Sequence, residues 1–305
     1  MDDFRGTDKR FEGMRRLSVC VDDFGLHRGI NAAALELARR GRITAISCLA
    51  GAPSWPQGGH ELRNLNVGEI DIGLHLDFTE YPIGEGSRYR LSWLVLLAYL
   101  RELDPVQLRA EIHAQFDAFE AELGRAPDYV DGHQHVHQLP GIRDEILGVL
   151  RERYPHRRPW LRSTCPPDGD GVCRGRGGLN HLKALLKARI IAQLGARSLT
   201  GMASVAGYPH NAHLLGSYDF SGGRRRYEEH LSGWLRRSGD CDLLMCHPSM
   251  DVDVLDGLLQ ARIQEYAVLS DVKFPQMLLR EGIELASLSR ALSGSHCSGN
   301  GPLLQ

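Results

Sequence analysis

No apolar run in this sequence is long enough to cross a bilayer. The longest, Leu91 to Leu100 (LSWLVLLAYL), is about half of what a transmembrane helix requires, and Arg90 and Arg101 bracket it. No transmembrane segment is therefore expected. Charge of neither sign prevails, since 36 Lys and Arg stand against 38 Asp and Glu, for a formal net charge of −2. Such a balance sets up no global field toward nucleic acid or an anionic membrane, so no nucleic acid is expected as a partner and a small or neutral substrate fits better. The seven cysteines, Cys20, Cys48, Cys165, Cys173, Cys241, Cys246 and Cys297, contain no CxxC pair, and several lie in or beside apolar runs. That pattern reads as reduced, buried thiols and a cytoplasmic location. The N-terminal stretch MDDFRGTDKRFEGMRR carries acidic residues and no apolar h-region, so it reads as a loose tail and not as a signal peptide. No internal repeat is visible.

What is present is ordinary globular composition: 305 residues, 42% hydrophobic and 24% charged. This length suits one large α/β domain of roughly 250 residues. The expected organisation is a flexible tail over 1–15, one domain over 16–292 with insertions near 84–103 and 163–222, and a second flexible tail over 293–305.

Periodicity supplies the elements. LSVCV (17–21) reads as a buried strand and GINAAALELARRG (29–41) as a helix closed by Gly41. ITAISCLA (43–50) reads as a second strand and EIDIGLHL (69–76) as a third. In the third, Ile70, Ile72, Leu74 and Leu76 alternate with Asp71, Gly73 and His75, so His75 points away from the apolar face. The run at 91–100 reads as a helix buried against the rest of the fold or at a subunit contact, which leaves a homodimer open. Asp104 and Pro105 mark a helix start, and Leu108, Ile112, Phe116, Phe119 and Leu123 recur at helical spacing until Gly124 stops it. Tyr129 and Val130 lead into DGHQHVH as a brief strand; 142–150 reads as a helix and 160–162 as a strand. Residues 163–178 read as a loop and 179–194 as an amphipathic helix, while 195–222 show no assignable pattern. Residues 227–237 read as a helix, CDLLMC (241–246) as a buried strand ending at His247 and Pro248, and 258–269 as a further helix.

Alternating strands and helices imply a parallel sheet with helices outside, and the length favours an α/β fold of the (β/α) barrel type, an incomplete or distorted TIM barrel included. The polar residues then acquire a location. Asp22 and Asp23 follow one expected strand, His133 another and His247 a third, and His75 lies near the end of a fourth. Side chains at strand C-termini converge on one mouth in such barrels. Adjacent carboxylates after a strand can simply cap the next turn; in the functional reading one ligates a metal and the other stays free as a general base. DGHQHVH packs His133, His135 and His137 into a short stretch, and imidazole nitrogen is a ligand for Zn²⁺ and similar ions. In an extended chain all three histidines share a face, although one metal need not bind all of them.

Four ordered motifs carry a resemblance: VDDFGL (21–26), GLHLDFTE (73–80), DGHQHVHQLP (131–140) and MCHP (245–248). With them the sequence resembles the YdjC-like, or ChbG/HpnK, carbohydrate deacetylases over residues 17 to about 285, and RIQEYAVL (262–269) is similar to that family's late helix with Arg, Glu and Leu. The resemblance implies a barrel-like β/α fold, a divalent metal and hydrolysis of an acetamido group on a sugar. Carried over by position, Asp23, His75 and His133 correspond to metal ligands, Asp22 to the base and His247 to the acid, with His135 and His137 lining the site; Arg162 is expected to line the site as well, apart from the resemblance. The sequence departs from the family in Ser249, where Gly or Ala is common after His-Pro, and in its long stretch 166–216, and both bear on substrate identity.

The chemistry agrees with the residues. An amide is a poor electrophile, so a metal that polarises its carbonyl and brings a water's pKa toward ~7, if zinc, would assist attack. Nitrogen ligands favour zinc, nickel or cobalt, and the carboxylate admits magnesium or manganese, so one divalent ion, zinc first, is the expected cofactor. The runner-up activity is a metal-dependent phosphoesterase, with Arg162 or RGRGG (174–178) as its anion clamp; the third reading is a non-catalytic sugar-binding module, which would lose the base or acid. An N-acetylated amino sugar, free, oligomeric or lipid-linked, is the expected substrate. Trp55, Trp93, Tyr208 and Tyr218 could stack on sugar rings, although large aromatics more often fill cores.

Overall fold

The computed structural model describes residues 13–65, 70–167, 195–252 and 256–293. The expected loop beyond 167, the helix over 179–194 and most of both tails lie outside the described residues.

Strands and helices alternate through the first half: β1 (Arg15–Phe24), α1 (Arg28–Arg39), β2 (Ala45–Cys48), α2 (Trp55–Arg63), β3 (Asp71–Leu76), α3 (Leu91–Leu100), α4 (Pro105–Leu123), β4 (Tyr129–Gly132), α5 (Ile142–Arg153) and β5 (Trp160–Leu161). The second half holds α6 (Ala196–Val205), β6 (Leu214–Leu215), α7 (Gly223–Arg237), β7 (Asp242–Cys246), α8 (Leu259–Leu269), α9 (Lys273–Arg280), β8 (Ile283–Leu285) and α10 (Leu288–Ser293). Local chemistry sets the clearest boundaries. The Asp104 carboxylate accepts from Val106 N at the start of α4, where Pro105 has no N–H to leave unpaired, and Gly124 ends the helix at φ 68°, a conformation that a Cβ would disfavour. In α7, Tyr227, Leu231, Trp234 and Leu235 recur at helical spacing and are all buried, so one stripe faces the core.

The strands form one parallel sheet in the order β5-β4-β3-β2-β1-β7-β6, with β8 added beside the start of β1. The sheet curls until its ends meet: Leu161 N donates to Pro209 O at 2.9 Å and Leu214 N to Cys165 O at 2.8 Å. Isolated bonds replace a full ladder at that seam, so the fold is an incomplete, distorted (β/α) barrel. The main apolar core packs helices against the outside of the sheet. A second, smaller cluster fills the inside, where Tyr129 and Trp160 stack with centroids 3.9 Å apart. Gly73 makes room for that pair, because a Cβ there would lie 2.3 Å from the Tyr129 ring. Polar residues occupy the same inward face one step closer to the strand C-termini, as the period of two dictates: Asp22 beyond Cys20, His75 beyond Gly73, Asp131 beyond Tyr129 and Arg162 beyond Trp160.

Several expectations change. β1 does not stop before the aspartates but runs through them to Phe24. Between Val21 and Phe24 it advances three residues while β2 advances from Ile46 to Cys48, a β-bulge centred on Asp22 and Asp23. DGHQHVH is not extended past Gly132; residues His133–Gln138 form a 3₁₀ turn with Gln134 and His135 left-handed (φ 52° and 61°). The patternless stretch from 195 contains α6 and the two-residue β6. The α3 helix is only partly covered: Leu94 and Ala98 are buried, whereas Trp93 is 54% exposed and Leu96, Tyr99 and Leu100 are exposed with it. Among the cysteines, Cys20, Cys48, Cys165 and Cys246 are free thiols. Cys241 is disulfide-bonded, which corrects the expectation of reduced thiols there; its spacing in sequence carries no pairing signal. Among the described residues no helix is long and apolar enough to cross a membrane.

Candidate metal and catalytic site

The bulge in β1 explains how neighbouring aspartates reach one site. In a regular strand their side chains would point to opposite faces. Asp23 instead takes φ 64°, a left-handed conformation that Asp tolerates better than most residues. Both carboxylates are then buried at the barrel mouth with different partners. Asp22 is held by Arg162 at 2.6 Å and 2.7 Å, one guanidinium nitrogen to each oxygen. Asp23 Oδ1 lies 3.0 Å from His133 Nδ1 and 3.6 Å from His75 Nε2, and its Oδ2 accepts from Arg262 at 2.7 Å.

Asp23, His75 and His133 offer ligand atoms that all lie within 4.8 Å of one another, and all three residues are buried. The spacing suits a metal. Ligands about 2.0–2.2 Å from a tetrahedral zinc sit ~3.4 Å apart, and the two oxygen–nitrogen distances at Asp23 bracket that value. The donor chemistry fits as well. His75 Nδ1 is engaged by Asp131 Oδ1 at 2.7 Å, which leaves Nε2 turned toward Asp23. His133 turns its Nδ1 toward Asp23 Oδ1, and its other nitrogen, Nε2, faces the Glu80 carboxylate.

Electrostatics point the same way. Burial disfavours the charged form of Asp23, but the Arg262 guanidinium and His133 outweigh it and hold the carboxyl well below the usual range. Burial likewise pulls the His75 imidazole down, yet Asp131 and the two aspartates of β1 raise it to about 9. His133 is also raised, against burial, chiefly by Asp23. The carboxylates thus draw positive charge into this cluster. A divalent cation would supply that charge instead of protons, since ligating imidazoles must be neutral.

The remaining expected residues divide. His247 Nε2 stands 3.9 Å from Asp22 Oδ2, its backbone N–H donates to Glu265 at 2.5 Å, and Phe220 packs edge-on against its ring at 5.3 Å. The 3₁₀ turn does not bring His135 and His137 into the ligand-distance group. His137 Nε2 donates to the Arg162 carbonyl at 3.0 Å and pins the turn to β5. Burial first, then neighbouring cations, push His135 down to about 3; burial outweighs Asp131 and pushes His137 down to about 4, so both rings are neutral. Arg162 is 0% exposed and lies beneath the mouth, bridging Asp22 and Asp131 Oδ2 (2.6 Å to the latter). Of the aromatics, Trp55 and Tyr208 are core residues, and the Tyr218 hydroxyl donates to Glu265. A cavity of about 490 Å³ opens beside the cluster, lined by Glu80, Arg88, Tyr89, Arg90 and Gln134 among others. Glu80 connects the two, with Oε1 3.4 Å from His133 Nε2.

Asp131 and Glu80 lie inside the motifs DGHQHVHQLP and GLHLDFTE without being singled out there, and Ser47 lies in none of them. Asp131 carries the clearest signal of the three, since it opens DGHQHVH at a strand end beside three histidines. Arg262 and Glu265 were visible only as part of a motif. Their partners, Asp23 and His247, are fixed by the fold.

A buried carboxylate and two imidazoles at the mouth of a parallel barrel, with a second carboxylate and a histidine alongside, define a class of candidate metal-dependent sites. The sequence profile of the YdjC-like protein family matches residues 16–280, and the chain belongs to that family. A human protein named carbohydrate deacetylase is 28% identical over 305 aligned residues, 90% of each chain. A chitooligosaccharide deacetylase of Proteus mirabilis is 32% identical over 132 residues, which covers 41% of this chain and about half (51%) of that one. Among solved structures, a protein of Enterococcus faecalis V583 described as a candidate cellobiose-phosphate cleavage protein superposes with a TM-score of 0.64 at 19% identity, covering 91% of this chain and 98% of that one. At that identity the likeness concerns the fold alone.

Proposed function

We propose that the protein is a metal-dependent hydrolase that removes the N-acetyl group of an amino sugar, as free sugar, oligosaccharide or carrier-linked sugar. The observation that carries this reading is the convergence of Asp23, His75 and His133 within ligand distance, with Asp22 and His247 at the same mouth. The names of the human and Proteus mirabilis relatives support the substrate class. The same convergence supports reading residues 16–292 as one domain.

In this reading Asp23, His75 and His133 hold one divalent ion, zinc first and magnesium or another ion second. When bound, such an ion polarises the amide carbonyl and makes a water acidic near neutral pH. Asp22 is the proton acceptor. Burial would raise it, but the Arg162 guanidinium outweighs burial and keeps the carboxyl below its ordinary value, so it is ionised whenever substrate arrives. Oδ1 accepts from both Arg162 and Cys20, whereas Oδ2 retains a lone pair beyond its bond to Arg162, and that is where the proton goes. His247 delivers a proton to the departing amine, from the side of Asp22 where its Nε2 already stands. Glu265, bonded to its backbone N–H, fixes where the imidazole starts.

The phosphoesterase alternative loses one of its two candidate anion clamps, because Arg162 is buried and engaged by two carboxylates; the other, RGRGG (174–178), lies outside the described residues. A purely binding module has no need for Asp22 and His247 together. Incubating the metal-loaded protein with a panel of N-acetylated sugars and of sugar phosphates tests the reading. Acetate release without phosphate release is expected; phosphate release alone would replace this function with the alternative.

A further inference from the structure

We infer that Arg262 is a positioning residue that restricts Asp23 to one-oxygen coordination of a divalent cation. The inference rests on the reading above, in which Asp23 is a ligand, and concerns how it binds.

A carboxylate can present one oxygen or both to a cation. Those of Asp23 are not equivalent: Oδ1 faces His133 and His75, while Oδ2 is 2.7 Å from an Arg262 terminal nitrogen. Arg262 is itself fixed. Its Nε donates to Asp256 Oδ2 at 2.6 Å, its other terminal nitrogen lies 3.5 Å from the His247 carbonyl, and the residue is 3% exposed. Asp256 in turn accepts from Leu258 N at 2.7 Å, at the start of α8, and sits 3.4 Å from His27 Nε2. A planar guanidinium locked on both sides cannot swing aside to release the second oxygen.

Two consequences follow for a cation at this cluster. One oxygen and two imidazole nitrogens leave coordination positions free for water and a substrate carbonyl, and a second Asp23 oxygen would take one of them. Arg262 also shares the charge of Asp23, so the nitrogen donors contribute more of the binding. This favours ions that prefer nitrogen over hard, oxygen-preferring ones such as Mg²⁺.

The test reads coordination directly, by X-ray absorption and crystallography of the Zn²⁺-loaded wild-type protein and of Arg262→Gln. One Asp23 oxygen at about 2.0–2.2 Å from zinc is expected in the wild type. Both oxygens are expected in the variant, with its affinity for Mg²⁺ relative to Zn²⁺ raised by about tenfold. Two Asp23 oxygens on zinc in the wild type overturn the inference and leave the functional reading intact, and this holds even if the variant does not fold. One oxygen in a folded Arg262→Gln protein also overturns it. Wild-type protein that binds no zinc at Asp23, His75 and His133 overturns both.

Discussion

His75 Nδ1 and Asp131 Oδ1 are 2.7 Å apart, and both residues are buried. The contact fixes the ring orientation of His75, because the nitrogen that faces Asp131 cannot also face Asp23. Ser47 Oγ donates to the same oxygen at 2.5 Å and Arg162 approaches the other, so Asp131 is itself held in place. Carboxylates behind metal-bound histidines set tautomer and basicity. Asp131→Asn should therefore bind zinc about 10- to 100-fold more weakly while remaining folded. Competition with a chromophoric chelator, alongside circular dichroism, measures this; unchanged affinity would remove Asp131 from the account.

Asp22 and Asp23 should fail differently when each is changed to Asn. Asp22→Asn removes the proton acceptor but leaves the cluster's ligands intact, so metal stays bound while kcat falls by about 10²- to 10⁴-fold. Asp23→Asn should lose metal first, and excess metal should partly restore it by mass action. Metal content and kcat measured on both variants decide the matter. Metal loss in Asp22→Asn with retention in Asp23→Asn would reverse the two roles.

Arg162 is a stability residue as much as a site residue. Its removal strands two buried carboxylates, Asp22 and Asp131. Arg162→Met should lower unfolding stability by about 3–5 kcal/mol, the usual cost of leaving a buried partner uncompensated. Urea unfolding measures it, and a loss below about 1 kcal/mol would mean that water reaches the pair.

The α3 helix separates packing from exposure within neighbouring residues. Leu94 is fully buried in the main core and Trp93 is more than half exposed. Leu94→Ala should cost about 2–5 kcal/mol. Trp93→Ser should change stability by no more than about 0.5 kcal/mol. Thermal and urea melts check both; a large loss at Trp93 would indicate that this face is covered in solution, as a subunit contact would do.

Sequence pattern located the elements that local chemistry determines. The α4 boundaries match because Asp104, Pro105 and Gly124 act within a few residues of themselves. The 3₁₀ turn at His133–Gln138 carries no turn signal in the sequence because Gln134 and His135, not glycines, hold its left-handed conformations. The β6 strand has two residues, too few to show a period. The same division holds in the site. Asp22, Asp23, His75, His133 and His247 stand out as polar residues at strand ends. Arg262 has meaning only through Asp23, 239 residues away in the chain, and Asp131 only through His75 and Arg162.

On this mechanism a divalent ion at Asp23, His75 and His133 is required for removal of an N-acetyl group. Acetate release from an N-acetylated amino sugar should disappear after exhaustive chelation and return on adding back one equivalent of a divalent ion, with His75→Ala and His133→Ala showing reduced metal occupancy. Full acetate release by protein verified as metal-free would show that no such ion takes part.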